Sequence, residues 1–209
     1  IKRKFMPLLN DNGDTLSDMT DVIVRQTNDL RRIVDEFSRF ARMPEPDKKS
    51  EDIIQIINSV ISLQENGLPE IAFKKNIVNG PIMLEVDATM ISQALINLLK
   101  NAGESIAGRM SKALSPNVLG QIKVIANLSG NFLKVSIIDN GLGLPEDRAR
   151  LFEPYVTTRE NGTGLGLAIV KKIIEEHGGT FRLEDAPQYQ NSGIVGAAAI
   201  IELPIYSLK

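Results

Sequence analysis

Apolar side chains recur at alternating spacings of four and three residues over positions 15–43, which predicts one long helix. The positions that share one side of it are Met19, Ile23, Gln26, Leu30, Ile33, Phe37 and Phe40. An unbroken seam of this kind is typical of a coiled coil or a helical bundle. Residues 1–9 suit the end of a partner helix, and residues 10–14 form a turn cluster. We therefore expect a helical hairpin with a truncated first arm, which pairs with a second copy as a four-helix bundle.

Two prolines, Pro44 and Pro46, end this helix, and a polar linker follows them. We place a domain boundary there, with residues 1–46 as the partial hairpin and residues 47–209 as a second domain. In the second domain the pattern predicts a helix capped by Ser50, a helix capped by Asp87 and a third helix that begins near residue 165. It predicts strands at residues 71–78, 82–86, 121–128, 132–139, 180–184 and 194–203. Strands mostly in adjacent hairpins, with helices between them, predict an α+β sandwich whose mixed sheet has helices on one face.

The composition narrows the classes of protein that remain. The chain has 209 residues, 24 of them Lys or Arg and 26 Asp or Glu, so its net charge of −2 disfavours a nucleic-acid partner. It has no cysteine, which excludes disulfides and thiolate metal sites. Its longest apolar stretch, residues 194–201, is far below the ~20 residues of a membrane span. The chain begins with Ile1 and not with Met, so we expect a piece of a longer protein.

The predicted helix from Asp87 to about Ala107 has a polar side that carries Gln93, Asn97, Asn101 and Glu104. Asn97 and Asn101 are four residues apart, so their amides lie one turn above the other. Two amide oxygens on one side of a helix can hold a divalent cation that also binds phosphate oxygens. A solvated polar face has the same pattern, so this helix alone leaves both interpretations open.

Asp139 ends an apolar strand and begins a glycine-rich segment that includes Gly141, Gly143 and Leu144. A carboxylate at a strand end can accept a hydrogen bond from an exocyclic amine such as that of adenine. The glycines allow the backbone to pack against a flat ring. A plain turn before a helix is the alternative interpretation.

A second glycine-rich segment leads into the predicted helix near residue 165, and it consists of Gly162, Thr163, Gly164, Leu165 and Gly166. The N–H groups and the dipole of a helix N-terminus favour a bound anion. The segment is neither a Walker A loop nor a Rossmann turn, because both the following residues and the glycine spacing differ. A tight loop against the sheet is the alternative.

The loop of residues 151–160 joins these two glycine-rich segments. Phe152 and Tyr155 suit aromatic anchors, and three polar residues suit contact with phosphates in a closed lid: Thr157, Thr158 and Arg159. A surface loop is the alternative. Along the chain, the paired asparagines of the helix come first, and the carboxylate at a strand end follows. The possible lid comes next, and the glycine-rich helix N-terminus that suits phosphate comes last. Together these parts indicate an ATP site.

The same segments resemble the sequence boxes of sensor histidine kinases. Residues 97–102 resemble the N box, 139–143 the G1 box, 151–155 the F box and 162–167 the G2 box. In combination they resemble the Bergerat-type ATPase fold that gyrase, Hsp90 and MutL proteins share, over roughly residues 50–204. Residues 35–44 are similar to the end of the dimerisation hairpin in nitrogen-regulation kinases, especially of the NtrY type.

The resemblance implies ATP and Mg²⁺ as cofactors. It implies that Asn101 and Asn97 bind the metal, that Asp139 reads the adenine amine, and that Asn97 and Arg159 serve catalysis. The nucleotide-binding residues that it implies are Asn97, Asn101, Glu104, Asp139, Gly141, Gly143, Leu144, Thr157, Thr158, Arg159, Gly162, Thr163, Gly164, Leu165 and Gly166.

The resemblance further implies transfer of the γ-phosphoryl group to a histidine and then to an aspartate of a response regulator. Residues 1–46 would form the dimerisation and phosphotransfer hairpin of a homodimer, and residues 47–209 the catalytic ATP-binding domain. The protein would be the cytoplasmic portion of a bacterial inner-membrane kinase, in contact with the membrane only through upstream segments. The acceptor would lie upstream of Ile1, so no phosphoacceptor is expected in this chain. We expect its single histidine, His177, to cap a helix, where a partly positive ring suits the dipole.

Residues 193–197 fit the last glycine box of the family only loosely, because Ala197 lies near a position that often carries a hydroxyl. A competing hypothesis is a non-catalytic module for dimerisation and regulator docking, with the nucleotide as a conformational ligand. An ATPase that hydrolyses ATP for conformational work is disfavoured, because such enzymes carry a water-activating glutamate at the position of Asn97.

Overall fold

The computed structural model describes residues 13–41, 43–112, 118–148, 150–156, 163–187 and 195–205. The helices and strands in these ranges are α1 (Gly13–Ala41), β1 (Lys49–Asp52), α2 (Ile53–Gly67), β2 (Ile71–Ile77), β3 (Met83–Val86), α3 (Ala88–Ser111), β4 (Gly120–Ser129), β5 (Phe132–Asp139), α4 (Gly166–Glu176), β6 (Thr180–Asp185) and β7 (Ala197–Pro204). This order confirms the α+β class. None of the helices in these ranges combines the length and the apolarity that a bilayer crossing needs.

Helix α1 confirms the long helix that the four-and-three spacing predicts. Three of its seam residues, Met19, Ile23 and Leu30, are each 62% exposed in the single chain. Residues 1–9, the predicted end of the partner arm, lie outside the described residues. Pairing of the seam with a second copy therefore stays a prediction.

Five strands form a mixed sheet in the order β2-β4-β5-β7-β6. Strands β2 and β4 are parallel, and the other neighbours are antiparallel. Along β4 the residues at alternate positions are buried, namely Ile122, Val124 and Ala126, whereas Lys123 and Asn127 are exposed. This alternation shows that one face of β4 is buried, and helix α3 packs against this strand.

The two strands predicted at residues 71–78 and 82–86 do not pair with each other. Strand β3 pairs with β1 in a separate antiparallel sheet, and β2 pairs with β4. The helix for which Ser50 was the predicted cap begins at Ile53 and has Asp52 as its cap. The physical reason is the carboxylate of Asp52, which accepts hydrogen bonds from the backbone N–H groups of Ile54 and Ile82. Asp52 therefore caps α2, and Ser50 remains in the strand.

The hydrophobic core lies between the sheet and helices α2, α3 and α4. Each helix contributes one apolar side, such as Ile57 of α2, Leu99 of α3 and Ile173 of α4, all nearly inaccessible to solvent. Helices α3 and α4 also pack against each other. The polar side of α3 and the N-terminus of α4 are in this way brought to the same end of the domain.

Candidate nucleotide-binding site

Helix α3 carries the paired asparagines as the sequence predicts. Asp87 caps it by accepting hydrogen bonds from the N–H groups of Thr89 and Met90, at 3.0 and 3.1 Å. The apolar side, with Leu98 among its residues, is buried. Asn97 and Asn101 are half-buried on the other side, and Glu104 is exposed there. The helical period alone produces this division.

Asn101 lies against the glycine-rich N-terminus of α4. A Cβ at Gly166, the first residue of that helix, would lie 3.9 Å from the Asn101 side-chain nitrogen. Leu165 precedes the helix and is fully buried, and no side chain caps the helix within the part of the chain that the structure describes. The first turn of an uncapped helix offers N–H donors and a positive dipole end to an anion. The Asn101 amide and a helix end that suits an anion therefore face the same place.

Gly164 connects this helix N-terminus to the end of the F-box segment. Its φ is +69°, and a Cβ there would lie 2.6 Å from the carbonyl carbon of Tyr155. The N–H of Tyr155 donates to the Gly164 carbonyl at 3.2 Å. Only glycine permits this backbone approach without strain.

Four of the predicted site residues lie outside the described residues, namely Thr157, Thr158, Arg159 and Gly162. Their contact with phosphates stays a prediction. Thr163 and Leu144 are described, and both are half-buried.

Asp139 occupies the last position of β5 and is buried. Its Oδ1 accepts a hydrogen bond from the N–H of Gly141 at 2.8 Å. A Cβ at Gly141 would come within 2.7 Å of the Ile106 nitrogen, and a Cβ at Gly196 would overlap the Asp139 carbonyl oxygen. Helix α3 and the chain before β7 therefore enclose the carboxylate-bearing turn from two sides. The position of Gly196 gives the loosely matching last glycine box a steric role at this turn.

Gly143 also needs to be glycine, since its φ is +78° and a Cβ would overlap the Val195 carbonyl oxygen. Ser105 is a site-adjacent residue that the sequence reasoning missed. Its Oγ accepts a hydrogen bond from the N–H of Leu142 at 3.0 Å. Ser105 lies four residues after Asn101, just as Asn101 lies four residues after Asn97. The helical spacing in the sequence therefore already placed Ser105 on the same side of α3.

The first half of the predicted lid is anchored to strand β6 and helix α4. The Phe152 ring meets the Phe181 ring edge-on, with centroids 5.4 Å apart, and the Lys171 ammonium lies 5.6 Å from the Phe152 centroid. Arg148 forms an ion pair with Asp185 at the end of β6, in which one guanidinium nitrogen donates to both carboxylate oxygens. Phe152 is thus an anchor as predicted, whereas the Tyr155 side chain is 52% exposed.

His177 follows α4 and has the capping and packing role that the sequence predicts, but not with a charged ring. Its Nε2 accepts from the N–H of Asp87 at 2.9 Å, and its Nδ1 lies 2.7 Å from the Ile173 carbonyl, to which it donates. Burial lowers the pKa of His177 below its usual 6.5, and the nearby charge of Lys48 adds to this. The hydrogen bond to Ile173 opposes the shift. The ring is therefore neutral at pH 7, because an acceptor at Nε2 cannot carry a proton.

Comparison with known families identifies this architecture. The family model described as "Histidine kinase-, DNA gyrase B-, and HSP90-like ATPase" matches residues 86–207. Nitrogen regulation protein NtrY of Azorhizobium caulinodans is 49% identical over 198 residues, which are 93% of this chain and 25% of that protein. A putative sensor histidine kinase, NtrY-like, of Rickettsia bellii is 38% identical over 180 residues, which are 85% of this chain and 28% of that protein. The chain thus spans about a quarter of the length of these relatives.

Solved structures have the same fold. The catalytic domain of histidine kinase ThkA, in a nucleotide-free form, superposes with a TM-score of 0.63 at 31% identity, covering 76% of this chain and 98% of that one. ThkA in complex with the response regulator protein TrrA superposes with a TM-score of 0.68 at 28% identity, covering 94% of this chain and 53% of that one. The family match extends over more than half of the chain, and it contains Asn97, Asn101 and Asp139. The chain therefore belongs to the histidine kinase-, DNA gyrase B- and HSP90-like ATPase family, and within that family its sequence is similar to sensor histidine kinases of the NtrY type.

Proposed function

We propose that residues 47–209 bind Mg²⁺-ATP and donate its γ-phosphoryl group to a histidine of the dimerisation hairpin. The observation that carries this proposal is the position of Asn101, whose amide faces the glycine-rich N-terminus of α4. A phosphate chain at that helix end would meet both the helix N–H groups and a metal held by the amide.

The adenine ring would lie against the turn that follows β5. The buried carboxylate of Asp139 accepts from the exocyclic amine, and Gly141, Gly143 and Leu144 form the wall beside it. A carboxylate suits this task because it accepts hydrogen bonds and cannot donate them when ionised. A purine with a carbonyl oxygen at the same position would be rejected, because two acceptors would face each other.

The phosphates would lie between α3 and α4. The backbone of Thr163, Gly164, Leu165 and Gly166 would contact them, together with Thr157, Thr158, Arg159 and Gly162, which lie outside the described residues. Oxygen ligands suit Mg²⁺, so the amides of Asn101 and Asn97 fit it, and Glu104 is one turn further along. The metal would neutralise phosphate charge. Asn97 and Arg159 would orient the γ-phosphoryl group, since phosphoryl transfer depends mainly on position and charge.

The acceptor would be a histidine on the first helix of the hairpin. His177 does not suit this role, because it is only 3% exposed and both its ring nitrogens are hydrogen-bonded. Residues 1–46 would dimerise, and a response-regulator receiver domain would take the phosphoryl group, a partner class that the ThkA–TrrA complex supports. We place this portion on the cytoplasmic side of a bacterial inner membrane, with membrane attachment through other segments of the whole protein.

A second candidate function has one observation in its favour. The exposed apolar seam of α1 suits a dimerisation and regulator-docking module in which the nucleotide only sets the conformation. Phosphoryl transfer separates the two candidates. A longer protein that carries the hairpin histidine, given γ-³²P ATP, should become labelled on that histidine, and absence of label would favour the docking module.

Binding of nucleotide to the chain itself tests the adenine assignment. Asp139→Asn should weaken Mg²⁺-ATP binding by ~1.5–3 kcal/mol, because a charged acceptor in the pocket is lost. This corresponds to about 10- to 150-fold in Kd by isothermal titration calorimetry. Asp147→Asn is the matched control, because Asp147 is an exposed carboxylate of the following loop. Unchanged affinity in Asp139→Asn would contradict the assignment.

A further inference from the structure

The side chain of Asn140 extends the pairing of β4 with β5 by one more step. The last backbone pair of this ladder is Ile122 with Asp139. Beyond it, Oδ1 of Asn140 accepts from the N–H of Gln121 at 2.8 Å, and its Nδ2 donates to the carbonyl of Leu119 at 2.8 Å. Its own N–H donates to the Gln121 carbonyl at 3.3 Å. The primary amide therefore takes the place of a backbone peptide group at the end of the sheet.

Both polar atoms of this amide are used, and the residue is only 4% exposed. A buried amide is costly unless its donor and acceptor are both satisfied, so such a pair fixes the geometry closely. The strand end therefore stays fixed to β4 at the residue directly after Asp139. A plain turn would need no such bonds.

On the β4 side, the backbone that carries the Asp139 carboxylate is held by the Ile122–Asp139 pair and, at the next residue, by the N–H and the side-chain amide of Asn140. On the α3 side, the Leu142 N–H bonds to the Ser105 hydroxyl. Between these two attachments, the carboxylate accepts from the N–H of Gly141. The direction of the carboxylate thus follows from the position of the peptide that Asn140 holds.

We infer that Asn140 is a positioning residue for purine selectivity, which acts by holding the Asp139 carboxylate where it distinguishes an amine from a carbonyl on the purine ring. The inference rests on the proposed assignment of Asp139 to the adenine amine. Hydrogen bonds weaken steeply outside a narrow range of distance and angle. A carboxylate that shifts therefore loses its preference for the amine and relaxes its rejection of a carbonyl.

Asn140→Asp tests the inference with almost no change of shape. The new oxygen would face the Leu119 carbonyl without a hydrogen to donate. The measurement is the Kd of ATP and of inosine triphosphate, which carries a carbonyl in place of the amine, for each chain by calorimetry. We expect the selectivity ratio to fall about five- to tenfold, the effect of one lost hydrogen bond. Asn127→Asp, the same substitution at an exposed position of β4, should leave the ratio unchanged.

The possible outcomes distinguish a failure of this inference from a failure of the proposed function on which it rests. Equal weakening of both nucleotides, with an unchanged ratio, would mean that Asn140 has only a structural role and would overturn the inference. A wild-type chain without preference for ATP, or a preference that survives in Asp139→Asn, would overturn the adenine assignment and the inference with it. Circular dichroism checks folding. If Asn140→Asp does not fold, Asn140→Ala gives the same comparison without a carboxylate against the Leu119 carbonyl.

Discussion

The backbone N–H of Asp87 donates a hydrogen bond to Nε2 of His177, with 2.9 Å between the two nitrogens. Asp87 is the cap of α3 and His177 directly follows α4, so this bond joins the start of one site helix to the end of the other. Because His177 also donates to the Ile173 carbonyl, the arrangement requires a neutral ring with its proton on Nδ1.

Stability should therefore fall in mild acid. Burial lowers the pKa of His177 in the folded chain below the 6.5 of a free imidazole, despite the opposing charges of Asp87 and Glu176. The unfolded chain then binds the proton more tightly. The free energy of unfolding should be independent of His177 well above pH 6.5, and should decrease as the pH falls through 6.5 towards the folded pKa. Urea unfolding at about pH 7.5, 6.5 and 5.5 measures this.

The control for this prediction is His177→Gln, whose side chain has an acceptor and does not titrate. It should be less stable than the wild type at about pH 7.5, and the difference should narrow towards pH 5.5, since only the wild type loses stability through this group. If the wild-type chain became more stable as the pH falls from about 7.5 to about 5.5, the neutral, buried ring of His177 would be contradicted.

The dependence of ATP affinity on Mg²⁺ should change when Asn101 is substituted and should not change when another polar residue of α3 is substituted. Asn101→Ala should reduce the gain in ATP affinity that Mg²⁺ provides, by about five- to tenfold, because an oxygen ligand is lost. Affinity in EDTA should change little. Gln93→Ala, on the same helix about two turns earlier, is the matched control. Equal losses with and without Mg²⁺ would mean that Asn101 contacts the nucleotide without the metal.

Gly164 should not tolerate a side chain. Gly164→Ala would force φ near +69° on a residue with a Cβ, and would place that atom 2.6–2.8 Å from the backbone of residues 155–156. We expect a loss of at least about 2 kcal/mol in the free energy of unfolding. Gly67→Ala is the control, because a Cβ there would meet nothing within 4 Å and its helical position favours alanine. Similar stabilities of the two variants would refute the close approach.

The seam of α1 should control dimerisation. Ile23→Asp places a charge within the predicted helix interface, and should weaken self-association about tenfold or more in sedimentation equilibrium. Val24→Asp is the control, since Val24 is also an exposed apolar residue of α1 but lies off the seam. If both variants remained as dimeric as the wild type, the seam would not be the interface.

Much of the fold was predictable because the elements are set by local periodicity. The division of α3 into a buried side and a polar side with Asn97 and Asn101 follows from 3.6 residues per turn, and the structure confirms it. The position of Asp87 as the cap of α3 and the position of Asp139 at the end of β5 were equally predictable, since each depends on a few neighbouring residues.

Strand pairing was less predictable, because it depends on contacts between distant parts of the chain. Strand β1 was not predicted, since its four residues, Lys49–Asp52, are polar or charged and show no apolar alternation. It forms because β3 lies beside it. In the same way, β2 pairs with β4 and not with β3, the next strand in the sequence.

The sequence by itself determined the helices, the polar side of α3, the glycine-rich segments and the family they indicate, because each is written within a short window of residues. The tertiary structure alone decided that Asn101 faces Gly166, that Asn140 bonds to the start of β4 and that His177 accepts from Asp87. These partners are separated by many residues of chain, and burial of the common core is what brings them within hydrogen-bonding and van der Waals distance.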